Sequence, residues 1–168
     1  SPAKDSSNHI HIDLVKKMGY LSSGPVDGNI RLKDFKNLFN KWKMKTAIGG
    51  GPVLLQNGEI KITNEEEIKF TGKAIDDKHP RTAMGYTKDD KLIILVVQGR
   101  FPGTAEGASL KQEAQILKDL GCREALNLDG GGSSYMLING KETIKPSDKE
   151  GQRAVPAVFT IRNIDFNQ

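Results

Sequence analysis

Residues 125–134 constrain the fold of this chain more than any other stretch. They read Ala-Leu-Asn-Leu-Asp-Gly-Gly-Gly-Ser-Ser, so a segment suited to a β-strand runs directly into an aspartate, three glycines and two serines. Glycines leave backbone amides open to a ligand and adopt positive φ angles without a steric penalty. The stretch is either a tight turn capped by Asp129 or a pocket in which amides and a carboxylate meet a ligand. We favour the pocket, because a turn needs only one or two glycines.

Another run of three glycines lies earlier in the chain, at Gly49, Gly50 and Gly51, directly before Pro52. A glycine bulge that leads into an edge strand would account for it. The alternative is a second backbone wall of the same pocket, and the presence of two such runs in one short chain favours this alternative.

Apolar runs predict the strands of a sheet around these glycines. Residues 92–97 form the most apolar run, which predicts a central strand that pairs as a hairpin with the segment beginning at Arg81. Arg81 is either an exposed structural side chain or a fork for a phosphate or carboxylate. The dipeptide Asn139-Gly140 predicts another hairpin, as does a similar dipeptide at 57–58, and residues 153–161 predict a closing strand.

One helix is clearly predicted, over residues 109–121. Ser109 and Gln112 match a capping box at its start, and Gly121 marks its end. Glu113 lies in the first turn, where a solvated side chain is the ordinary explanation and a pocket acid is the alternative. The apolar stripe that should face the core consists of Leu110, Ala114, Leu117 and Leu120.

The order of these elements predicts an α+β fold. We expect a mixed, mostly antiparallel and curved sheet packed around the helix at about residues 109–121. Residues 47–168 form this part, and residues 1–46 form an N-terminal helical segment of the same structural domain. Apolar residues recur at helical spacing in that segment, at Leu32, Phe35, Leu38, Phe39 and Trp42.

Composition excludes several classes of protein. The formal net charge is +4, but 25 basic and 21 acidic residues are interleaved, so no nucleic-acid partner is predicted. One cysteine leaves no disulfide framework, and no apolar run reaches the length of an integral membrane segment. His9 and His11 lack a third ligand nearby, so no metal or other cofactor is predicted. Neither glycine run continues into Gly-Lys-Ser/Thr, which argues against a nucleotide-phosphate loop.

Several motifs occur together in the order found in one enzyme family. They are Gly-Gly-Gly-Pro at residues 49–52, Arg-Thr-Ala-x-Gly at 81–85, the helical segment at 107–122, the block at 125–134, and Arg-x-Val-Pro at 153–156. On these motifs residues 47–162 resemble the phosphodiester glycosidase family, which has many bacterial and phage members. The block at 125–134 is the most specific of the motifs.

The resemblance implies hydrolysis of the bond between C1 of a sugar and a phosphodiester oxygen, which releases the sugar and a phosphomonoester. A departing phosphate is a weak base, so its negative charge needs stabilisation more than its oxygen needs a proton. Asp129 is expected to act as nucleophile, stabiliser or base, with Arg81 on the phosphate and Glu113 as a second carboxylate. The expected substrate-binding residues are Gly49, Gly50, Gly51, Thr82, Asn127, Gly130, Gly131, Gly132, Ser133, Ser134 and Arg153.

One usual feature of that family is absent from the sequence. Members carry an Asn/Gly-Gly-Phe-Phe-like segment before the glycine-proline motif, and residues 1–46 contain none. The chain is therefore either a divergent member or a piece whose site is completed by a missing N-terminal segment or a second chain. The alternative function is a module that binds a wall polymer or other sugar-phosphate glycan without catalysis. The resemblance implies a secreted, periplasmic or cell-surface setting.

Overall fold

The computed structural model of the chain describes residues 20–22, 48–67 and 70–161. The helices predicted within residues 1–46 lie outside the described residues. The part that is described has an α+β architecture in which the sheet is mostly antiparallel, as the sequence predicts.

The described residues form short strands, two α-helices and two single turns of 3-10 helix. The helices are α1 (Asn64–Glu67) and α2 (Leu110–Asp119), and the 3-10 turns are Gly72–Ile75 and Gly131–Ser133. The strands are β1 (Tyr20–Ser22), β2 (Ile48–Gly50), β3 (Val53–Gln56), β4 (Glu59–Ile60), β5 (Arg81–Thr87), β6 (Leu92–Val97), β7 (Cys122–Asn127), β8 (Leu137–Ile138) and β9 (Lys141–Glu142).

The central strand of the main sheet is β7. The main sheet has five strands in the order β4-β3-β7-β5-β6, and each neighbouring pair is antiparallel. β1 and β2 pair in parallel as a separate short ladder, and β8 and β9 form a separate antiparallel hairpin. The end of β7 is therefore flanked by strands on both sides.

Two predicted hairpin turns are confirmed. Asn57 and Gly58 join β3 to β4 with φ angles of 53° and 84°. Asn139 and Gly140 join β8 to β9 with φ angles of 51° and 76°. Asparagine and glycine tolerate positive φ at both central positions of a two-residue turn, which is why the dipeptide identifies such hairpins in a sequence.

The prediction that residues 92–97 form the central strand is wrong. β6 pairs with β5, as predicted, but it lies at the edge of the described sheet. Its residues are all half-buried. A continuous apolar run is typical of a strand that is covered on both faces, and partial cover of both faces produces the same pattern at an edge.

The closing strand predicted at residues 153–161 is also wrong. These residues form no strand and are mostly exposed, with Val158 exposed by 75% and Ile161 by 68%. The N–H of Arg153 donates to Gly132 O at 3.4 Å, which holds the start of the segment at the glycine run. Pro156 has no N–H, so it would interrupt the hydrogen-bond ladder of a strand.

The helix α2 packs on the main sheet against β3, β4 and β7. Its start confirms the predicted capping box, because the Ser109 hydroxyl accepts from the N–H of Gln112 at 3.2 Å and Gln112 Oε1 accepts from the N–H of Ser109 at 3.0 Å. The core between helix and sheet consists of Leu54, Leu55, Ala83, Leu110, Ala114, Leu117, Cys122 and Ala125.

Leu120 does not belong to this core, so its place in the predicted stripe is wrong. It is 50% exposed and is the residue at which the helix is capped. The periodicity of an apolar stripe predicts burial only as far as the helix itself continues.

The buried stripe of α2 can be tested with two variants of the same helix. Leu117→Ala is expected to lower the free energy of unfolding by about 2–5 kcal/mol, because it leaves a cavity in the core. Leu120→Ala, the matched control, is expected to change it by no more than about 0.5 kcal/mol. Urea unfolding followed by circular dichroism measures both values. Equal losses in the two variants would contradict this placement of the stripe.

Candidate functional site

Asp129 lies directly beyond the end of the central strand. β7 ends at Asn127, between β3 and β5. The N–H of Leu128 still donates to Thr82 O at 2.7 Å, so the chain stays attached to β5 up to the residue before the aspartate. Asp129 itself is exposed. The sheet therefore fixes the backbone that carries this carboxylate, while the carboxylate faces solvent.

Asn127 binds the first glycine run of the chain, residues 49–51, at the end of β7. Its Nδ2 donates to Gly51 O at 2.7 Å, and the N–H of Gly51 donates back to Asn127 O at 2.7 Å. The N–H of Asn127 also donates to Pro52 O at 3.0 Å. A Cβ on Gly50 would overlap the carbonyl oxygen of Asn127, so this close approach requires glycine. Asn127 is buried and supports the site from the interior.

The second glycine run of the chain, residues 130–132, packs against Pro80, the residue that precedes β5. The N–H of Gly131 donates to Pro80 O at 2.8 Å, and a Cβ on Gly130 would lie 2.8 Å from the same oxygen. The amide of Gly131 is therefore already used inside the fold and does not face a ligand.

Two arginines and an aspartate lie over this glycine run. Asp148 Oδ2 accepts from Nε and Nη2 of Arg153 at 3.1 and 3.0 Å. Asp148 Oδ1 accepts from Nη1 of Arg100 at 3.2 Å. The side chain of Asp148 is 25% exposed, whereas those of Arg100 and Arg153 are 41% and 50% exposed. We call Arg100, Asp148 and Arg153 the arginine bridge.

Glycine allows the arginine bridge to lie close to the backbone. A Cβ on Gly132 would overlap the carboxylate of Asp148 and would lie 2.6 Å from Nη2 of Arg153. A Cβ on Gly131 would lie 3.0 Å from Nη2 of Arg100, and Gly131 also has a φ of 61°. The bridge therefore adjoins the segment that carries the exposed carboxylate.

Arg81 lies in the interior, at the start of β5. Its Nε donates to Ala108 O at 2.8 Å. Its Nη2 donates to Asp77 O at 3.1 Å and to Ala74 O at 3.3 Å. The residue is 3% exposed. As placed, Arg81 ties the segments before β5 and before α2 together through their carbonyl groups.

Glu113 is fully buried on the core side of α2, so a solvated first-turn glutamate is the wrong interpretation. Neither carboxyl oxygen has a hydrogen-bond partner among the described residues. Burial raises the pKa of Glu113 to about 8, and the positive charge of Arg81 opposes this rise. Burial likewise lowers the pKa of Arg81, and Glu113 opposes that change. Glu113 is therefore mainly protonated at neutral pH.

The other predicted binding residues differ in accessibility. Ser134 is buried, and its hydroxyl accepts from Thr82 Oγ1 at 3.0 Å, which ties the glycine turn to β5. Ser133 is half-buried and Gly49 is exposed. Space is open beside Gly49, because a Cβ on it would meet nothing within 4 Å.

His79 is half-buried just before β5, where its backbone pairs with that of Ala108. Burial lowers the pKa of His79, and the charges of Arg81 and Arg100 lower it further. Asp77 opposes this change. These effects favour the neutral form of the imidazole.

Two members of the arginine bridge, Arg100 and Asp148, are not among the residues predicted from the sequence. Arg100 directly follows Gly99, shortly after the end of β6. A basic residue just beyond a strand is the one sequence signal that could have indicated its place at the site. Its φ of 64°, unusual for a residue other than glycine, is visible only in the structure. Asp148 lies in a loop far along the chain from Arg100, and its sequence context carries no signal.

Neither a metal-binding cluster nor a membrane-spanning helix occurs in the described part of the chain. Residues 48–67 and 70–161 contain no group of three or more histidine, cysteine, aspartate or glutamate side chains arranged to hold a metal ion. Among the described helices, none has both the length and the apolar character that a membrane span requires.

Comparison with known proteins relates this chain to one family. The family model described as phosphodiester glycosidase matches residues 15–162. N-acetylglucosamine-1-phosphodiester alpha-N-acetylglucosaminidase of Mus musculus is 32% identical over 103 residues, which cover 56% of this chain and 20% of that protein. The SPbeta prophage-derived protein YomE of Bacillus subtilis (strain 168) is 38% identical over 84 residues, which cover 50% and 13%. The chain thus spans a fifth or less of the length of these relatives.

Two solved structures resemble the fold. A hypothetical protein from Synechocystis has a TM-score of 0.52 at 30% identity, with 60% of this chain and 18% of that one covered. The zebrafish N-acetylglucosamine-1-phosphodiester alpha-N-acetylglucosaminidase catalytic domain, auto-inhibited by its pro-peptide, has a TM-score of 0.51 at 37% identity, with 60% and 35% covered.

The burial of Glu113 predicts a specific dependence of stability on pH. Its pKa rises from 4.5 to about 8 on folding, so between these values the unfolded state releases a proton that the folded state keeps. The contribution of Glu113 to stability is therefore fully present below about pH 4.5 and is lost as the pH rises to about 8. Across this window the free energy of unfolding of the parent is expected to fall, relative to Glu113→Gln, by roughly 1 kcal/mol per pH unit.

Denaturant unfolding at a series of pH values measures this difference. Glu66→Gln is the matched control, because Glu66 is exposed and its removal takes away a carboxylate of the same kind. Parallel stability curves for the parent and Glu113→Gln would show that Glu113 is not buried as described.

Proposed function

Because the chain belongs to the phosphodiester glycosidase family, we propose that it hydrolyses the bond between C1 of a sugar and the oxygen of a phosphodiester. The observation that carries the proposal is the exposed Asp129 carboxylate on the segment that the arginine bridge covers. This arrangement offers a negative group for a sugar that becomes positive and guanidinium groups for a phosphate that leaves with its charge.

The arginine bridge is proposed to bind the phosphate. Arg100 and Arg153 use only part of their donors on Asp148, and both side chains are about half exposed. A guanidinium group has five N–H donors in a planar fork that matches phosphate oxygens. The leaving phosphate already carries its negative charge, so these donors stabilise departure without a strong acid.

Asp129 is proposed to be the catalytic carboxylate. As the C1–O bond breaks, its electron pair leaves with the phosphate and C1 becomes an oxocarbenium ion, which a nearby carboxylate stabilises. Water then supplies the new hydroxyl at C1, and the proton that it loses passes through Asp129 to solvent. The products are the free sugar and a phosphomonoester, so the atoms balance without another reactant.

The buried predicted residues are proposed to position this site. Arg81 donates hydrogen bonds to carbonyl groups of two loops. Protonated Glu113 lies in the core, where the positive charge of Arg81 affects its pKa. Asn127 fixes the first glycine run, and the Thr82 to Ser134 hydrogen bond fixes the second. Gly49, Gly50, Gly51 and Ser133 are proposed to line the sugar side, where Gly49 is exposed.

The substrate proposed is an α-linked N-acetylglucosamine-1-phosphodiester or a related sugar-phosphate glycan. The names of the mouse and zebrafish relatives state this chemistry for those proteins. In line with the family resemblance, we propose a secreted, periplasmic or cell-surface setting.

Replacement of the proposed catalytic carboxylate tests the chemistry. Asp129→Asn is expected to lower kcat by at least about 100-fold on a panel of α-linked sugar-1-phosphodiesters, because the amide cannot stabilise the cation or accept a proton. Asp90→Asn is the matched control, since Asp90 is exposed in the β5–β6 turn and asparagine tolerates its φ of 63°. Circular dichroism checks that all three proteins fold.

Two outcomes would count against the proposal. Turnover by Asp129→Asn at the parent rate would remove Asp129 from the reaction. A folded parent that binds the substrates but turns over none of them would support the non-catalytic glycan-binding module instead.

Phosphate binding by the arginine bridge is tested separately. Arg153→Gln is expected to raise KM by roughly 10- to 100-fold, because a charge-assisted hydrogen bond contributes about 1.5–3 kcal/mol. Arg123→Gln is the matched control, because Arg123 is an exposed arginine near the other end of β7. Steady-state kinetics with one phosphodiester gives both values, and an unchanged KM in Arg153→Gln would rule out this role.

A further inference from the structure

We propose that Asp148 shifts the charge preference of the arginine bridge, because its carboxylate weakens the binding of a doubly charged phosphomonoester more than that of a singly charged phosphodiester. The inference rests on the proposed function, since it concerns how the same site distinguishes its substrate from its product. It assigns a specificity role to a residue whose loop position gave no indication of one.

The charges of the bridge support this selectivity. Arg100 and Arg153 contribute two positive charges and Asp148 one negative charge, so the three groups together carry a net charge of +1. A phosphodiester carries one negative charge. A phosphomonoester carries nearly two above its second pKa of about 6. The bridge therefore neutralises the diester fully and the monoester only in part.

The geometry places Asp148 where it acts on any bound anion. Its two oxygens lie between the guanidinium groups, at 3.0–3.2 Å from their nitrogens. An anion that takes the exposed donors of both arginines must therefore approach the carboxylate as well. Repulsion by a fixed charge is proportional to the charge of the ligand, so a dianion is repelled about twice as strongly as a monoanion.

Gly132 keeps Asp148 in this place. The Asp148 carboxylate packs against the backbone of Gly132, at a place where a Cβ on this residue would overlap it. Two oriented ion pairs also hold the side chain, which is only 25% exposed. Asp148 is therefore a fixed negative charge and not a mobile surface group.

The expected benefit is release of the product. Hydrolysis at C1 turns the diester monoanion into a monoester with a second ionisable oxygen, which loses its proton near neutral pH. The negative charge on the ligand increases within the site while the charge of the bridge stays at +1. Compared with a bridge that lacks its charge, Asp148 thus weakens the binding of the dianionic product more than the binding of the monoanionic substrate.

Binding of two small anions tests the proposal without any turnover. The probes are dimethyl phosphate, a monoanion, and methyl phosphate, a dianion at about pH 8 given its second pKa of about 6. Titrations at fixed ionic strength, followed by calorimetry or NMR, give a Kd for each. Asp148→Asn is expected to strengthen methyl phosphate binding relative to dimethyl phosphate binding by about fivefold or more.

Two controls separate this effect from a loss of structure or of overall charge. Asp90→Asn removes a distant exposed carboxylate and is expected to leave the ratio of the two Kd values unchanged. Arg153→Gln is expected to weaken both anions. If Asp148→Asn weakens both anions equally, Asp148 only orients the arginines and the selectivity claim is overturned. If the parent binds neither anion, the anion site itself is overturned.

The result is independent of catalysis. Charge-selective binding without hydrolysis of any sugar-1-phosphodiester would refute the proposed function and leave the anion site standing. Hydrolysis with an unchanged ratio in Asp148→Asn would refute the role of Asp148 alone.

Discussion

The simultaneous pairing of β7 with β3 and β5 is the constraint on which the rest of the structure depends. It makes β7 the central strand and fixes the place where the chain leaves the sheet. Asn127, the last residue of that strand, then holds the Gly51–Pro52 segment by three hydrogen bonds. The Gly51–Pro52 segment thus holds Asn127 on one side, and the hydrogen bond from the N–H of Leu128 to Thr82 O holds the next residue on the other side. Asp129 therefore projects from a fixed backbone. Catalytic groups carried at strand ends gain their precision from such support.

The polar groups around this point divide into an interior set and an exposed set. Arg81 and Glu113 are buried, and each shifts the pKa of the other against the effect of burial. Arg100, Asp148 and Arg153 are partly exposed and paired through one carboxylate. Buried charges are costly unless neutralised, so the interior set suits positioning, whereas a ligand can reach the exposed set. The separation explains how one small site combines a rigid frame with accessible charge.

Much of the local structure around the candidate site could be predicted from the sequence, and the reasons for the failures are physical. The Asn127 to Ser134 block, both Asn-Gly hairpins and the capping box at Ser109 depend on local chemistry, which a sequence displays directly. The position of β6 at an edge, the exposure of residues 153–161 and the burial of Glu113 depend on which elements pack together. The link between Arg100 and Asp148 joins two loops distant in the chain, and no local pattern encodes it. The family resemblance predicted over residues 47–162 is confirmed by the family match over residues 15–162. It did not depend on knowing how the elements pack, because it rests on the order of several motifs.

The fate of the water oxygen distinguishes a glycosidase from a phosphodiesterase. Hydrolysis of an α-linked sugar-1-phosphodiester in water enriched in oxygen-18 separates attack at carbon from attack at phosphorus. With Asp129 on the sugar side and the arginines on a leaving phosphate, the phosphomonoester should carry no label when its phosphorus NMR signal is recorded. A labelled phosphomonoester would mean that water attacks phosphorus, and the assignment of this site to a glycosidase reaction would be wrong.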